Sequence, residues 1–376
     1  MGAQRSLGDS FHVESHTALL ESATEADISG RTLDAIVVPT IRPRHLGEAV
    51  RLASELGCSL VVLCTTSEQA NRAMIECRAV IDNLLVTYLP DSVIAKHLAS
   101  LTSAHRENGI AASCHVDIAR KRNLGLLLAR LCGWRTIMYL DDDIRGLSSG
   151  GVSRAASLTP RFHAVGFQVS SFPDNSVVCH AYRLAGGQQG TFPGGCALLV
   201  DVERYTGLFP AIYNEDWLFL FDAVQKRSIS VVGTLSQLEY QPFARPQRAA
   251  SEEFGDVIAE GLYALLHQGA DMTDATSQYW QGVLERRLRL IDHIVSRLSL
   301  LGGQDPAVIG SALTSLAAAR QRLTSLSLES CVSFIHAWRT DLDMWGHRLL
   351  GLPVVSDLAL AAKHLELPVH DGRVRR

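Results

Sequence analysis

The sequence predicts an α/β fold: a mostly parallel central sheet with flanking helices, followed by an all-helical C-terminal region. In the first part of the chain, short apolar runs bounded by loop residues alternate with helical periodicity, which is typical of an open parallel sheet. From about residue 249 onward only helical periodicity remains. A chain of 376 residues is long enough for two packed units. We therefore expect an N-terminal arm at 1–30, an α/β domain at 31–248 and a helical region at 249–376.

The elements of the α/β domain follow from the hydrophobic pattern. The run 35–38 is apolar and mostly β-branched and is expected to end at Pro39, and leucines at helical spacing predict a helix over 116–134. In chain order, the predicted elements are strand 35–38, helix 45–56, strand 59–64, helix 67–80, helix 116–134, strand 136–140, strand 196–200 and helix 214–226. The Gly-, Ser- and Pro-rich stretch 146–195 is expected to be a mobile loop that covers a substrate.

The side chains of the predicted helices divide into solvated and buried groups. Arg120 and Lys121 lie in the first turns of their helix and are expected to form a solvated face. Trp280, Trp338 and Trp345 lie on apolar stripes of the C-terminal helices and are expected in the core, with an acceptor wall as the alternative. The C-terminal helices are expected either to cover an acceptor site or to form a homodimer contact.

Composition and charge exclude several classes of protein. The chain is 47% hydrophobic and 20% charged, a balance that suits a globular fold. Its net charge of -4 argues against a nucleic-acid partner, which needs a concentrated basic face. The eight cysteines are dispersed without a C-x-x-C pair, so we expect buried thiols in a reducing, cytoplasmic location rather than a zinc site. No signal-peptide pattern and no transmembrane segment is expected, because no apolar run reaches about 20 residues.

Three adjacent acids, Asp141, Asp142 and Asp143, directly follow strand 136–140. In open parallel sheets the ligand crevice lies beyond the carboxyl ends of the strands, where these acids and the loop 39–43 are expected to converge. Adjacent carboxylates repel one another unless a positive charge lies between them, and hard cations such as Mg²⁺ or Mn²⁺ prefer oxygen ligands shared with a phosphate. The acids therefore predict a divalent-cation site, with a solvated acidic turn as the alternative.

Five short segments occur in an order that resembles a known enzyme family. They are Val-Val-Pro-Thr-Ile-Arg-Pro (37–43), Arg-Lys-Arg-Asn-Leu-Gly (120–125), Tyr-Leu-Asp-Asp-Asp (139–143), Gly-Gly-Cys-Ala-Leu-Leu-Val (194–200) and Asn-Glu-Asp-Trp (214–217). Over about residues 34–240, this order resembles the GT-A glycosyltransferases, especially the family-2-like members. The resemblance implies a Rossmann-like GT-A domain that transfers a sugar from a nucleoside diphosphate donor to an unknown acceptor hydroxyl, with a divalent cation and with inversion.

The resemblance also implies a role for individual residues. Asp143 and Asp141 are the implied ligands of Mg²⁺ or Mn²⁺. The implied nucleotide-sugar-binding residues are Pro39, Thr40, Arg42, Arg122, Asn123, Asp141 and Asp142. The implied acceptor-binding residues are Gly194, Gly195 and Trp217. In the pair Glu215 and Asp216, the second acid matches the catalytic base.

The residues themselves support two of these roles and leave an alternative for one. Arg122 precedes the acidic strand, and its guanidinium can pair with a phosphate bidentately in a way that lysine does not. Inverting transfer needs a carboxylate to accept the proton of the acceptor hydroxyl, and Asp216 is an acid distant in sequence from the acidic triplet. Alternatively, Asn214 is a good N-cap residue, and acids in the first turn of a helix can be purely structural.

Two departures from the family pattern affect donor recognition and the metal site. The second strand ends in Cys64, Thr65, Thr66 and Ser67 rather than in an acid, which leaves Glu68 or a hydroxyl to contact the base or ribose. The stretch 231–248 contains no histidine that could complete a metal site. The identity of the base therefore stays open, and we expect a metal site completed by Glu239, water or substrate.

Other functions remain as alternatives. A sugar-nucleotide mutase shares the opening and the acidic triplet, whereas a nucleotidyltransferase needs a Gly-rich basic loop after its first strand, which is not visible here. A haloacid-dehalogenase-type phosphatase usually has a small hydroxyl or β-branched residue where this chain has Arg145. A non-catalytic nucleotide-sugar-binding scaffold is the alternative from a different class.

Overall fold

The computed structural model describes residues 12–78, 80–105, 113–173, 175–300 and 305–369, without the side chains of residues 113 and 114, and it shows an α/β protein. Residues 1–11 of the expected arm lie outside these ranges. The strands are β1 Ala35–Thr40, β2 Ser59–Cys64, β3 Leu84–Tyr88, β4 Thr136–Leu140, β5 Ile144–Arg145, β6 Ala164–Val169, β7 Ala197–Asp201 and β8 Ile229–Gln237. The helices are α1 Gly47–Leu56, α2 Ser67–Cys77, α3 Asp91–Val93, α4 Ser113–Cys132, α5 Ser149–Leu158, α6 Val177–Leu184, α7 Glu215–Gln225, α8 Pro246–His267, α9 Ser277–Leu300, α10 Pro306–Ser325, α11 Leu328–Gly351 and α12 Leu358–His364.

The central sheet is mixed, with strand order β3-β2-β1-β4-β7-β6-β8-β5. Strands β2, β1 and β4 are parallel, as expected, and β3, which is not among the strands predicted from the sequence, is parallel to β2. Strand β7 runs antiparallel to both β4 and β6, and β5 runs antiparallel to β8. Strand β6 pairs with β8 in parallel. The expectation of a mostly parallel sheet is therefore met only in part, because an apolar run that predicts a buried strand does not encode the direction of that strand.

The sheet separates two apolar layers. Alternate residues of β1 point to opposite faces, so that Ala35 and Val37 pack with α4 and the C-terminal helices, whereas Ile36 and Val38 pack with α1, α2 and α5. Burial on both faces explains why β1, β2 and β4 are continuous apolar runs rather than alternating ones. The carboxyl ends of β1 and β4 are thereby held in fixed positions by a packed core.

Two local expectations differ from the structure. Strand β1 continues through Pro39 to Thr40; its pairing with β4 ends at Val37, so Pro39 lies where β1 has a single neighbour and a missing N–H is tolerated. The stretch 146–195 is not one mobile loop, because it contains α5, β6 and α6. Its glycines, serines and prolines mark the connections between these elements, and the alanines and valines form the elements themselves.

The C-terminal region is helical, as expected, and it shares one apolar cluster with one face of the sheet. Helix α8 begins at Pro246 and packs against α7, α9 and α10. Trp280, Trp338 and Trp345 are buried, which confirms their place in the core. The helical region therefore forms a continuous structure with the sheet on the α4 and α7 side.

The described cysteines are buried, as the sequence predicts. Cys58, Cys64, Cys77, Cys132, Cys179, Cys196 and Cys331 are all buried, and the side chain of Cys114 lies outside the described residues. Within the described ranges, no helix combines the length and the apolar character that a membrane span requires.

Candidate functional site

The loop after β1 and the acids after β4 lie together at one edge of the sheet. Parallel pairing of β1 with β4 places the ends of both strands at the same edge, as the sequence predicts. A cavity of about 420 Å³ opens there. It is lined by Pro39, Thr40, Ile41, Arg42, Thr65, His115, Asp117, Ile118, Lys121, Asp141, Asp142 and Asp143. The structure thus brings together six of the residues that the resemblance implies.

Arg42 supplies positive charge to two of the three acids. Its guanidinium donates a hydrogen bond to Asp142 and another, of 3.0 Å, to Oδ2 of Asp143. The hydroxyl of Thr40 donates to the second oxygen of Asp142 at 2.5 Å. Asp142 is buried and has both oxygens engaged, so its carboxylate holds Arg42 and Thr40 in place. Arg42 itself is 45% exposed, and Asp143 faces the cavity beside it.

Arg122 supplies the positive charge on the other side of the strand end. One of its nitrogens donates to both oxygens of Asp141 at 3.1 Å, and another donates to Glu215. All three side chains lie in a poorly solvated region. Burial raises the pKa of Asp141 to about 7 and that of Glu215 to about 8, and in both cases the nearby Arg122 charge opposes this rise. Arg122 therefore holds Asp141 and Glu215 in a largely buried, hydrogen-bonded cluster at the base of the site.

The antiparallel direction of β7 determines what lies opposite the acids. Because β7 runs against β4, the residues just before β7 lie beside the residues just after β4, and the N–H of Asp141 donates to the carbonyl of Cys196 at 2.8 Å. Gly195 then donates its N–H to Oδ2 of Asp216 at 2.7 Å. The mixed sheet thus connects the acidic triplet to the Glu-Asp pair of α7.

Gly194 and Gly195 are required by close packing rather than by backbone angles. A Cβ atom at Gly194 would lie 2.5 Å from Oδ2 of Asp216, and a Cβ atom at Gly195 would lie 2.3 Å from Cζ of Arg122. Only glycine leaves room for both side chains. The absence of a side chain at these two positions therefore allows Asp216 and Arg122 to pack against the backbone.

The start of α7 is fixed by the helical C-terminal region. Asn214 is the N-cap residue of α7, but it has a left-handed backbone with φ of 60° and makes no side-chain cap bond. Its amide donates instead to Asp256 at 3.0 Å, and Asp256 forms an ion pair with the buried Arg287. A Cβ atom at Gly255 would lie 2.3 Å from the carbonyl oxygen of Tyr213. Helix α8 therefore holds the turn that orients Glu215 and Asp216.

Three other residues of the predicted site lie outside the cavity. Asn123 is buried, and its amide donates to and accepts from the backbone of Phe209 at 2.8 and 3.0 Å. Trp217 packs against the ring of Tyr263, with centroids 4.8 Å apart, next to His16 and Phe192. Asp216 is half-buried, and both of its oxygens accept backbone N–H groups. Asp216 therefore lies next to Gly195, whereas Asp141, Asp142 and Asp143 line the cavity.

The expectation for Lys121 is wrong. Its side chain is 2% exposed, and its ammonium group donates to the carbonyl of Thr40 at 3.1 Å and to the hydroxyl of Thr65 at 2.7 Å. It also forms an ion pair of 2.7 Å with Asp117, four residues earlier on α4. The sequence contained a signal for this pair, since acid and lysine at i and i+4 lie on the same face of a helix. Asp117 and His115 are cavity residues that sequence reasoning missed.

The fit of a divalent cation follows from the oxygens that remain available. Across the described ranges, no group of three or more His, Cys, Asp or Glu side chains is arranged to hold a metal ion. Asp143 has one oxygen, Oδ1, without a bond from Arg42, whereas both oxygens of Asp141 are engaged by Arg122. Mg²⁺ in proteins commonly uses one or two carboxylates together with substrate phosphates. The residues present therefore fit a cation that binds together with a diphosphate.

Comparisons with known proteins identify no family for this chain. No protein-family model matches the sequence, and no curated protein matches it. Solved structures that match it include the mannosyltransferase PcManGT from Pyrobaculum calidifontis, in complex with GDP-Man and Mn²⁺. The match has 13% identity and a TM-score of 0.39, and it covers 93% of this chain and 91% of the other. Because this similarity is weak, we base the function below on the residues of the site.

Proposed function

We propose that this protein is a glycosyltransferase that moves a sugar from a nucleoside diphosphate donor to an acceptor hydroxyl, with inversion and with the help of Mg²⁺ or Mn²⁺. The observation that carries the proposal is the division of charged groups around the end of β4. On one side, Arg42 and Lys121 face a cavity beside Asp143. On the other side, Asp216 lies against Gly195. A donor that spans this edge has its diphosphate on the first side and its sugar on the second.

The diphosphate is the part of the donor that the Arg42 side suits. Arg42 is exposed enough to turn from Asp143 toward a phosphate, and its planar guanidinium pairs with two phosphate oxygens at once. The hydroxyl of Thr40 and the backbone after Pro39 lie beside it in the same cavity. Asp142 keeps Arg42 and Thr40 in place while they bind the donor.

Asp143 is the residue that would hold the cation. Asp141 would join it if one of the two Asp141 oxygens were released from its hydrogen bond with Arg122. A bound Mg²⁺ or Mn²⁺ supplies Lewis-acid neutralisation of the negative charge that develops on the departing diphosphate. Lys121 is buried and fully engaged with Thr40, Thr65 and Asp117, so it adds positive potential to the cavity rather than a direct bond.

Asp216 is the group that we assign as the base. The oxygen of the acceptor hydroxyl forms a bond to the anomeric carbon, and the bond from that carbon to the diphosphate oxygen breaks. The acceptor proton passes to Asp216, and the nucleoside diphosphate leaves with the bonding electron pair. Gly195 and the N–H of Trp217 orient the carboxylate through one bond to each oxygen, of 2.7 and 2.9 Å. Arg122, which donates a hydrogen bond to Glu215, packs against Gly195 and so supports the backbone that orients Asp216.

The proposal is tested by a donor screen in which thermal stabilisation and turnover are both measured. Wild-type protein with Mn²⁺ is expected to be stabilised by at least one nucleoside diphosphate, and Asp143→Asn is expected to lose that stabilisation. Asp222→Asn is the matched control, because Asp222 is an exposed acid on α7 that pairs with Lys226 away from the site. If none of UDP, GDP, CDP and ADP stabilises the wild-type protein, the proposal is refuted.

Turnover separates the proposed function from its alternatives. A glycosyltransferase consumes the nucleotide sugar when an acceptor is supplied and releases the nucleoside diphosphate. A mutase isomerises the donor without an acceptor, and a nucleotidyltransferase releases pyrophosphate from a nucleoside triphosphate. A non-catalytic scaffold binds the donor in the presence of metal and leaves it unchanged with every acceptor offered. Asp216→Asn is expected to abolish turnover while metal-dependent nucleotide binding persists, which separates transfer from binding.

A further inference from the structure

One wall of the cavity carries apolar and polar groups together. Ile41 follows β1 and is 61% exposed, although it is a large aliphatic residue in a packed part of the protein. Ile118 and His115, from the beginning of α4, line the same cavity. Exposed aliphatic side chains that border a cavity are typical of a surface that becomes covered when a ligand binds.

Asp117 presents a carboxylate to this cavity in a fixed orientation. Its Oδ2 accepts a hydrogen bond of 2.8 Å from Thr65 and lies 2.7 Å from the ammonium group of Lys121. Its Oδ1 accepts no hydrogen bond from the described residues. Because Lys121 is almost fully buried, the carboxylate is anchored from behind and keeps one oxygen for a ligand.

His115 adds a second polar atom to the same wall. Its Nε2 is buried and has no hydrogen-bond partner among the residues that the structure describes. Burial, and then the nearby charge of Arg248, lower the pKa of His115 to about 4, so the ring is neutral near pH 7. The ring packs edge-to-face on Tyr213, with centroids 5.2 Å apart. A buried ring nitrogen without a partner costs free energy unless a ligand bonds to it.

We infer that this wall binds the nucleoside of the donor, with Ile41 and Ile118 against the base and Asp117 accepting a hydrogen bond from the nucleoside. This inference rests on the proposed function, which places the diphosphate at Arg42 and Asp143. The cavity extends from these residues to Asp117, and it does not include Asp216 or Gly195. The nucleoside is therefore the only remaining part of the donor on this side.

Asp117 would take the role of the acid that is absent at the end of β2, which is to contact the base or the ribose. Strand β2 ends at Cys64 and is followed by Thr65, and the hydroxyl of Thr65 donates to a carboxylate that comes from α4 instead. Either an N–H of the base or an O–H of the ribose can donate to Oδ1 of Asp117, and both have the same chemistry. His115 is the residue on this wall whose nitrogen can distinguish bases, because it can act as a donor or an acceptor.

The test measures binding of nucleoside diphosphates and of pyrophosphate by calorimetry, in each case with Mn²⁺. Asp117→Asn is expected to bind the preferred nucleoside diphosphate about tenfold more weakly, through loss of a charged hydrogen-bond acceptor. Ile41→Ala is expected to weaken the same ligand about fivefold, through loss of apolar contact. Both variants are expected to bind pyrophosphate as wild type does. Glu76→Gln, at an exposed acid of α2, is the control.

The outcomes distinguish this inference from the proposed function. If Asp117→Asn loses its fold with Lys121 unpaired, Ile41→Ala decides, because the exposed Ile41 side chain contributes little to folding. Wild-type affinity for nucleoside diphosphates in the variants overturns the inference and leaves the proposed function standing. If no nucleoside diphosphate binds to wild type, both fail. With 2′-deoxynucleotides, a loss that does not add to that of Asp117→Asn assigns the bond to the 2′-hydroxyl of the ribose, and a loss that adds assigns it to the 3′-hydroxyl or the base.

Discussion

Arg42 occupies the position at which a metal ion would neutralise Asp143, and this gives the sharpest prediction. In Arg42→Gln, the cation that now pairs with Asp142 and Asp143 is removed. Coulomb's law gives about 1 kcal/mol for two unit charges about 4 Å apart in water, and about twice as much when one of them is divalent. Salt screening reduces this value at the half-exposed site. We therefore expect Mn²⁺ alone to bind the variant about tenfold more tightly than wild type.

The same substitution is expected to weaken nucleotide binding. In the proposed function Arg42 pairs with the diphosphate of the donor, and a charge-assisted hydrogen bond of this kind contributes about 1.5–3 kcal/mol. Arg42→Gln therefore binds nucleoside diphosphate about tenfold or more weakly at saturating Mn²⁺. Electron paramagnetic resonance measures free Mn²⁺, and calorimetry measures the nucleotide.

Arg44→Gln is the matched control, because Arg44 is an exposed arginine two residues farther along the same loop and makes no ion pair with the acids. The net charge changes equally in both variants. If Arg42→Gln binds Mn²⁺ no better than Arg44→Gln, then Arg42 does not compete with the metal, and the reasoning is refuted.

Three further predictions concern packing and pH. Gly195→Ala places a Cβ atom 2.3 Å from the buried arginine below it, so we expect loss of turnover and a markedly lower melting temperature; Gly150→Ala, with open space around it, serves as control. Arg287→Met leaves two buried acids unpaired and should cost about 3–5 kcal/mol in urea unfolding, whereas Arg320→Met removes an exposed pair and should cost less than about 1 kcal/mol. Burial lowers the pKa of His180 to about 4, so the unfolded chain binds the extra proton below about pH 6.5 and stability falls as the pH drops. His180→Phe should therefore lose about 2 kcal/mol less stability than wild type between about pH 7.5 and pH 5, and an equal loss in both proteins would contradict this.

The sequence predicts the part of the site that depends on parallel strands. The apolar runs of β1 and β4 identify two buried strands, and parallel strands end at the same edge. The meeting of Arg42 with Asp142 and Asp143 therefore follows from local pattern and one general rule of sheet geometry. The C-terminal helices are likewise visible in the sequence, because their apolar spacing is long and regular.

The remaining features depend on contacts between distant segments. Lys121 is expected to be solvated because a lysine on a short stretch of helix usually is, but its partners come from the end of β1, the loop after β2 and the preceding turn of α4. The direction of β7, which places Gly195 beside Asp216, is not encoded in its apolar run. The left-handed turn at Asn214 depends on Asp256, 42 residues later.

The two arginines at the end of β4 differ in a way that determines how the site can respond to a donor. Arg122 is buried beneath Gly195 and pairs with Asp141 and Glu215, so its displacement would leave charges without solvent or partner. Arg42 is half exposed, so its pair with Asp143 is weak and easily exchanged. The site therefore has one fixed and one exchangeable counter-charge. Exchange of Arg42 from the acid to the diphosphate frees an oxygen of Asp143 at the moment when phosphate oxygens become available to complete a cation site. Metal and donor are then expected to favour each other's binding, by the same factor in either order of addition.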